Sequence, residues 1–285
     1  MRDSQAEIKY NLAIAFDNVA KEISGVRVNK DIEFLHRMRV ASRRLNNTLW
    51  AYRHFFSREK VKKLRSEVKE IIRLLGRARD LDTQAVFVRK AAGDVKDEKL
   101  SAELKALLGI ILKNRRDSQV DVLKALRLAR SLTPRKSLVI CADADVLDAA
   151  CKTINRRLKQ FLKLSNAVHR KNTGKALHKM RIGAKHLRYT LENFSFLNQK
   201  KIGYFVGEAR LIQQTLGDMH NYIVWRAEAL LEAKKYPHTK KAVIYFVDLC
   251  SKHAAKSYKE FLMVYYRQCK EEAWVRLKEI VAGLK

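Results

Sequence analysis

The segment LHRMRVASRRLNNTL, residues 35–49, returns 142 positions later as LHKMRIGAKHLRYTL, residues 177–191. Seven of the fifteen aligned positions are identical, and Arg43 and Lys185 keep the charge where the residue differs. The spacing is almost half of the 285-residue chain, so the duplication does not belong to a short-period repeat array. It predicts two related halves, each with a basic helix that carries a histidine.

On an α-helix, the cationic residues of each copy share one face. They are His36, Arg39 and Arg43 in the first copy and His178, Arg181, Lys185 and Arg188 in the second. The opposite face is expected to enter the core. It carries Leu35, Met38, Ser42, Leu45 and Leu49, or Leu177, Met180, Ala184, Leu187 and Leu191. The second cationic row is roughly 15 Å long, which suits several anionic groups in series.

Helical periodicity runs through nearly the whole chain, which contains only two prolines. The sequence therefore predicts an all-α protein. The segment 131–145 breaks the pattern and separates an N-terminal half, residues 1–133, from a C-terminal half, residues 142–285. Four helices in each half indicate two four-helix bundles.

Three glycines are expected to end or interrupt helices. The first helix should cover residues 3–24 and stop at Gly25. The third helix of each half should break near Gly76 or near Gly217, which stand 141 positions apart.

The formal charge of +30, from 60 basic and 30 acidic residues, predicts a polyanionic partner. Inorganic polyphosphate, nucleic acid and an acidic membrane surface all fit the charge alone. The four cysteines lack the CxxC spacing of redox and zinc sites, and no stretch resembles a signal peptide or a membrane span. Cytoplasmic residence is therefore expected, without insertion in a membrane.

A row of Lys and Arg is usually a solvated helix face. Such a face normally interleaves glutamates, whereas residues 35–49 contain no acid at all. The uncompensated repulsion in both copies favours a ligand-binding face. Because the neighbours of His36 and His178 are cations, no metal site is expected there, and no motif for catalysis or for a cofactor is found.

Further cations stand near the two glycines. Arg73, Arg77 and Arg79 surround Gly76, while Arg210 and His220 flank Gly217. Each half is expected to extend its cationic surface onto its third helix. For Arg79, an ion pair with Asp80 or Asp82 is an equally good interpretation.

The two HxxR copies, the pair Arg43 and Arg44, the segment KHLRYTLE at 185–192 and the segment LGRARDLD at 75–82 together resemble the CHAD domain, the conserved histidine α-helical domain. The resemblance extends over nearly the whole chain, as a single domain across residues 1–285. It implies two four-helix bundles related by a pseudo-two-fold axis, with a basic central cleft or pore that binds inorganic polyphosphate.

The resemblance also implies the contacts. It gives His36, Arg39, Arg43, Arg44, Arg79, His178, Arg181, Lys185 and Arg188, to which the cations Arg73, Arg77 and Arg210 are added from their positions. The second half departs from the family pattern at His186, where arginine is common, and at His220 and Asn221, which replace Arg79 and Asp80 of the first half.

The leading hypothesis is non-enzymatic binding of inorganic polyphosphate, with association with polyphosphate granules as a further expectation. Non-specific nucleic-acid binding is the alternative, since phosphate contacts alone support it. An enzyme acting on phosphoanhydrides is a third interpretation, but neither cationic face carries the carboxylates that metal-assisted hydrolysis needs. The oligomeric state is left open.

Overall fold

A computed structural model describes residues 4–28, 31–132, 145–170, 173–235 and 239–284, and the regular elements in these ranges are all helical. The N-terminal half contains α1 (Ser4–Ala20), α2 (Ile23–Val28), α3 (Ile32–Ala51), α4 (Arg58–Asp94), α5 (Glu98–Asp117) and α6 (Gln119–Ser131). The C-terminal half contains α7 (Val146–Arg170), α8 (Gly174–Phe194), α9 (Gln199–Lys235), α10 (Lys240–Lys270) and α11 (Ala273–Ala282). The all-α prediction is confirmed. Most of the predicted boundary at 131–145 lies outside the described residues.

The two copies of the repeated segment form α3 and α8. Each helix starts at a capped residue: Asp31 accepts a hydrogen bond from the Glu33 amide at 2.8 Å, and Thr173 accepts one from the Ala176 amide at 3.3 Å. The predicted apolar faces of both helices are buried, as the 3.6-residue period requires. The basic faces are thereby turned away from the core.

The predicted breaks at Gly76 and Gly217 are wrong. Helices α4 and α9 pass through these glycines without interruption, and each is 37 residues long. A glycine inside a helix costs only about 1 kcal/mol relative to alanine. Burial of neighbours such as Leu75, Ala78 and Leu216 outweighs that cost, because packing of an apolar face provides most of the stability of a helix in a protein.

The prediction that the first helix ends at Gly25 is wrong. The chain turns after Ala20, and Gly25 lies inside the short helix α2. A Cβ atom at this position would clash with the Phe34 ring, so glycine is required by the close approach of α2 to α3. Glycine is needed at this position for a tertiary contact with Phe34 and not to end a helix.

The hydrophobic core is shared by the two halves. One large cluster joins buried residues of α1, α3, α4 and α6 to those of α7, α8, α9 and α11, while a second joins the C-terminal parts of α4 and α9 to α5 and α10. Helix α3 also packs against α8, which brings the two basic helices together. No helix within the described ranges has an apolar run suited to crossing a bilayer.

Candidate cationic site

Four cations of the repeated segments meet where α3 packs against α8. This central cluster consists of Arg39 and Arg43 from α3 with Arg181 and Lys185 from α8. Burial lowers the pKa of Lys185 to about 8, with a further contribution from Arg43, Arg181 and Arg39. Burial and the neighbouring charges also lower the pKa of the Arg43 and Arg181 guanidiniums. The fold thus holds like charges together at a cost.

The guanidinium groups of the central cluster are short of acceptors. The Nε atoms of Arg39, Arg43 and Arg181 are buried, and none has a hydrogen-bond partner among the described residues. The carboxylate of Asp80 on α4 lies beside the cluster, with Oδ1 3.8 Å from Arg39 Nη2. Its negative charge also favours the protonated guanidiniums of Arg43 and Arg181, since it raises the pKa of both. One carboxylate therefore acts on three guanidiniums.

Three histidines border the central cluster. The ring centroids of His178 and His220 lie 4.4 Å apart, so that α8 and α9 each contribute an imidazole. Burial, together with Arg181 and His178, lowers the pKa of His220 to about 4. The pKa values of His36 and His178 are also lowered, by burial first and then by neighbouring cations. All three imidazoles are largely neutral at pH 7 and offer one N–H donor each.

The other cations of the two cationic faces are paired. Arg44 and Arg188 both approach Glu192, with Nε–Oε distances of 3.7 Å and 2.8 Å. The positive charge of Arg188 also lowers the pKa of Arg43. Arg44, Arg188 and Glu192 therefore extend the central cluster along α3 and α8. Glu192 offsets one of the two arginine charges, so this group carries +1, whereas the four cations of the central cluster with Asp80 carry +3.

Arg79 on α4 pairs with neither of the acids that the sequence offered. Its Nη1 lies 3.6 Å from Glu33 at the start of α3, whereas Asp82 is bound by Arg115 at 2.7 Å. Arg79 also lies close enough to His36 to lower the pKa of that imidazole. It therefore belongs to the border of the central cluster.

The remaining three candidates are exposed, and two of them are bound to carboxylates other than Asp80. Arg73 is exposed and binds Glu70 through two hydrogen bonds of 2.8 Å and 2.6 Å. Arg77 joins α4 to α9 through Glu228 at 2.6 Å. Arg210 is exposed on α9.

His220 was singled out as a departure from the family pattern, and the structure places it directly against His178. Only the contact between α8 and α9 could reveal this pair. Among the described residues, no group of three His, Cys, Asp or Glu side chains is arranged to hold a metal ion. The central cluster can instead present several hydrogen-bond donors and about four positive charges to an anion with more than one charged group.

Comparison with known proteins gives one family and several similar folds. The sequence profile of the CHAD domain family matches residues 11–230. The crystal structure of the CHAD domain from the plant Ricinus communis aligns with a TM-score of 0.67 and 17% identity, over 92% of this chain and 91% of that one. PptA from Streptomyces chartreusis aligns with a TM-score of 0.64 and 15% identity, over 92% and 98%. No curated protein matches the sequence.

Proposed function

Since the chain belongs to the CHAD domain family, we propose that its central cluster binds inorganic polyphosphate and does not hydrolyse it. The observation that carries the proposal is the meeting of Arg39, Arg43, Arg181 and Lys185, of which only Arg39 forms an ion pair within the described part of the chain, with Asp80. A bound polyanion would relieve the repulsion between these groups and supply the missing acceptors. Binding would therefore stabilise the folded protein.

A chain of phosphates suits two adjacent basic helices. Guanidinium groups bind phosphate oxygens through two hydrogen bonds, and the lysine adds a compact charge. Each contact is modest on its own, and affinity comes from their number and from the release of counterions. Four phosphate contacts should give a slope of about −3 in a plot of log affinity against log salt concentration.

The carboxylates near the central cluster support binding without hydrolysis. Asp80 faces Arg39 and Glu33 faces Arg79, at 3.8 Å and 3.6 Å. Both lie within 4 Å of an arginine, whose positive charge disfavours a metal ion and weakens a carboxylate as a base. The assay incubates the purified protein with polyphosphate in the presence of Mg²⁺. Release of orthophosphate that is lost in His36→Ala or His178→Ala would contradict this part of the proposal.

The decisive test is a comparison of two variants with equal charge. The first carries Arg39→Gln, Arg43→Gln, Arg181→Gln and Lys185→Gln. The control carries Arg89→Gln, Lys90→Gln, Lys105→Gln and Lys113→Gln, at exposed positions of α4 and α5. We expect the first to be released from immobilised long-chain polyphosphate at a much lower salt concentration than the control. Equal retention by both, with helicity intact, would overturn the assignment.

Competition separates polyphosphate from nucleic acid. A labelled duplex or single-stranded oligonucleotide is bound first, and long-chain polyphosphate is added at equal phosphate concentration. We expect polyphosphate to displace the oligonucleotide, because a flexible chain of closely spaced phosphates can satisfy neighbouring cations at once. Retention of the oligonucleotide would favour the nucleic-acid alternative.

A further inference from the structure

The basic face of α3 continues beyond the repeated segment. Asn46, Trp50 and Arg53 follow Arg39 and Arg43 at steps of three or four residues, which keeps them on one side of the helix. Within α3, the row from Arg39 to Trp50 is roughly 16 Å long at 1.5 Å per residue, and Arg53 follows in the turn after the helix. The second copy does not repeat this extension, so the comparison of the two copies did not reveal it.

Arginines from three helices gather around Trp50 at the end of this row. The Arg157 Cζ atom of α7 lies 3.4 Å from the centroid of the Trp50 ring, and that of Arg53, just after α3, lies 4.2 Å from it. Arg65 of α4 donates from Nε to Asn46 Oδ1 at 3.2 Å. With Arg156 and His186, these residues form what we call the Trp50 cluster.

The Trp50 cluster is more one-sided in charge than the central cluster. Among the described residues, no carboxylate forms an ion pair with Arg53, Arg65, Arg156 or Arg157, and the buried Nε of Arg157 has no acceptor. Burial and the neighbouring arginines lower the pKa of Arg53 and of Arg157 to about 10. Burial, Arg157 and Lys185 lower that of His186 to about 3. Four permanent cations thus lie together, and none of them is ion-paired within the described ranges.

Space for a ligand opens beside two members of the Trp50 cluster, Arg157 and His186. A cavity of about 310 Å³ between α7 and α8 is lined in part by Arg157, Lys163 and His186. Trp50 itself keeps only 9% of its surface exposed, because guanidinium groups cover its rings. Little of the indole is left for stacking on a nucleobase, so bare phosphate groups fit this site better than a nucleotide does.

We propose that the Trp50 cluster is a second anion site, which binds phosphate groups of a condensed phosphate independently of the central cluster. The naming of the ligand rests on the proposed function, whereas the site itself rests on the four arginines and their geometry. The two clusters share the basic face of α3, and Lys185 and His186 are neighbours on α8. A long chain can therefore contact both, while a short one such as tripolyphosphate fills either.

The test observes Trp50 directly. Protein labelled with 5-fluorotryptophan gives three ¹⁹F signals, from Trp50, Trp225 and Trp274, and Trp50→Phe identifies the first. Titration with tripolyphosphate should shift the Trp50 signal to saturation. Because Arg156 does not touch the ring, Arg156→Gln leaves the stacking intact and should raise the dissociation constant read at Trp50 about tenfold.

Two further comparisons make the outcome decisive. The variant with four substitutions in the central cluster should keep the Trp50 response, which would separate the two sites even if long-chain polyphosphate still bound that variant. ATP should act more weakly than tripolyphosphate, since the ring offers no stacking surface. An unchanged Trp50 signal in the unsubstituted protein, or a response that Arg156→Gln leaves unaltered, would overturn the proposal and leave the arginines as a cover for Trp50.

Discussion

Asp80 lies with its Oδ1 3.8 Å from Arg39 Nη2 and is the internal counterion of the central cluster. It is supplied by α4, whereas the cations come from α3 and α8. Asp80 acts favourably on Arg43 and Arg181 as well, so one carboxylate partly neutralises three guanidiniums. A bound phosphate chain must compete with this carboxylate for the same donors.

Asp80→Asn should therefore bind polyphosphate several-fold more tightly while the free protein becomes slightly less stable. The loss of stability should stay within about 1 kcal/mol, because the Asp80 side chain is 58% exposed and water screens the pair. Titration calorimetry and thermal melting measure the two effects. Asp121→Asn, which removes an exposed carboxylate paired with Lys124 on α6, is the matched control. Weaker binding by Asp80→Asn would contradict this role.

Binding at pH 8 should be accompanied by proton uptake at Lys185. The pKa of about 8 leaves this amine about half protonated in the free protein. An adjacent polyanion favours the charged form and raises the pKa, so about half a proton is taken up for each bound cluster. Calorimetry in buffers of different ionisation enthalpy counts these protons. Lys185→Arg keeps the charge and should abolish the uptake; the same uptake in that variant would assign it to another group.

The sequence predicted the two basic helices because a period of 3.6 residues assigns faces without tertiary information. Leu35 and Met180 entered the core as expected, and Arg43 and Arg181 meet across α3 and α8. The predicted helix break at Gly76 is wrong, because burial of the neighbouring residues outweighs the low helix propensity of glycine. The Trp50 cluster was missed because Arg157 reaches Trp50 only through the packing of distant helices.

Acid should destabilise the free protein before it affects the carboxylates. The pKa of His220 is about 4 in the folded state, below its ordinary value of 6.5, so the unfolded chain binds more protons between these two values. Stability contributed by the neutral imidazole is thus complete above pH 6.5 and is lost as the pH falls toward 4. The free energy of unfolding, measured with urea, should be about 1 kcal/mol lower at pH 5 than at pH 7 because of this partly exposed group. His220→Gln should reduce that difference, and an unaltered difference would exclude His220 as the cause.

The hydrogen bond from Tyr52 Oη to the Asn193 carbonyl, 2.6 Å long, ties the end of α3 to the end of α8. Tyr52 is fully buried. Tyr52→Phe should lower the free energy of unfolding by about 1–3 kcal/mol, because the carbonyl loses its donor in a partly buried setting. Chemical denaturation measures the change, with Tyr266→Phe on the surface of α10 as control. Polyphosphate binding should be unaffected, since neither cationic cluster contains this contact.

Stabilisation by phosphate should grow with chain length at a fixed total phosphate concentration. Orthophosphate can satisfy one or two cations at a time, whereas a long chain contacts the central cluster and then follows the basic face of α3 toward Arg53. Once the first phosphates are bound, the remaining contacts are intramolecular and benefit from a high effective concentration. Thermal melting with orthophosphate, tripolyphosphate and long-chain polyphosphate should therefore give increasing melting temperatures. In 0.5 M salt the differences should shrink, because counterion release drives these contacts. Equal stabilisation by all three anions would indicate a single-phosphate site and contradict an extended one.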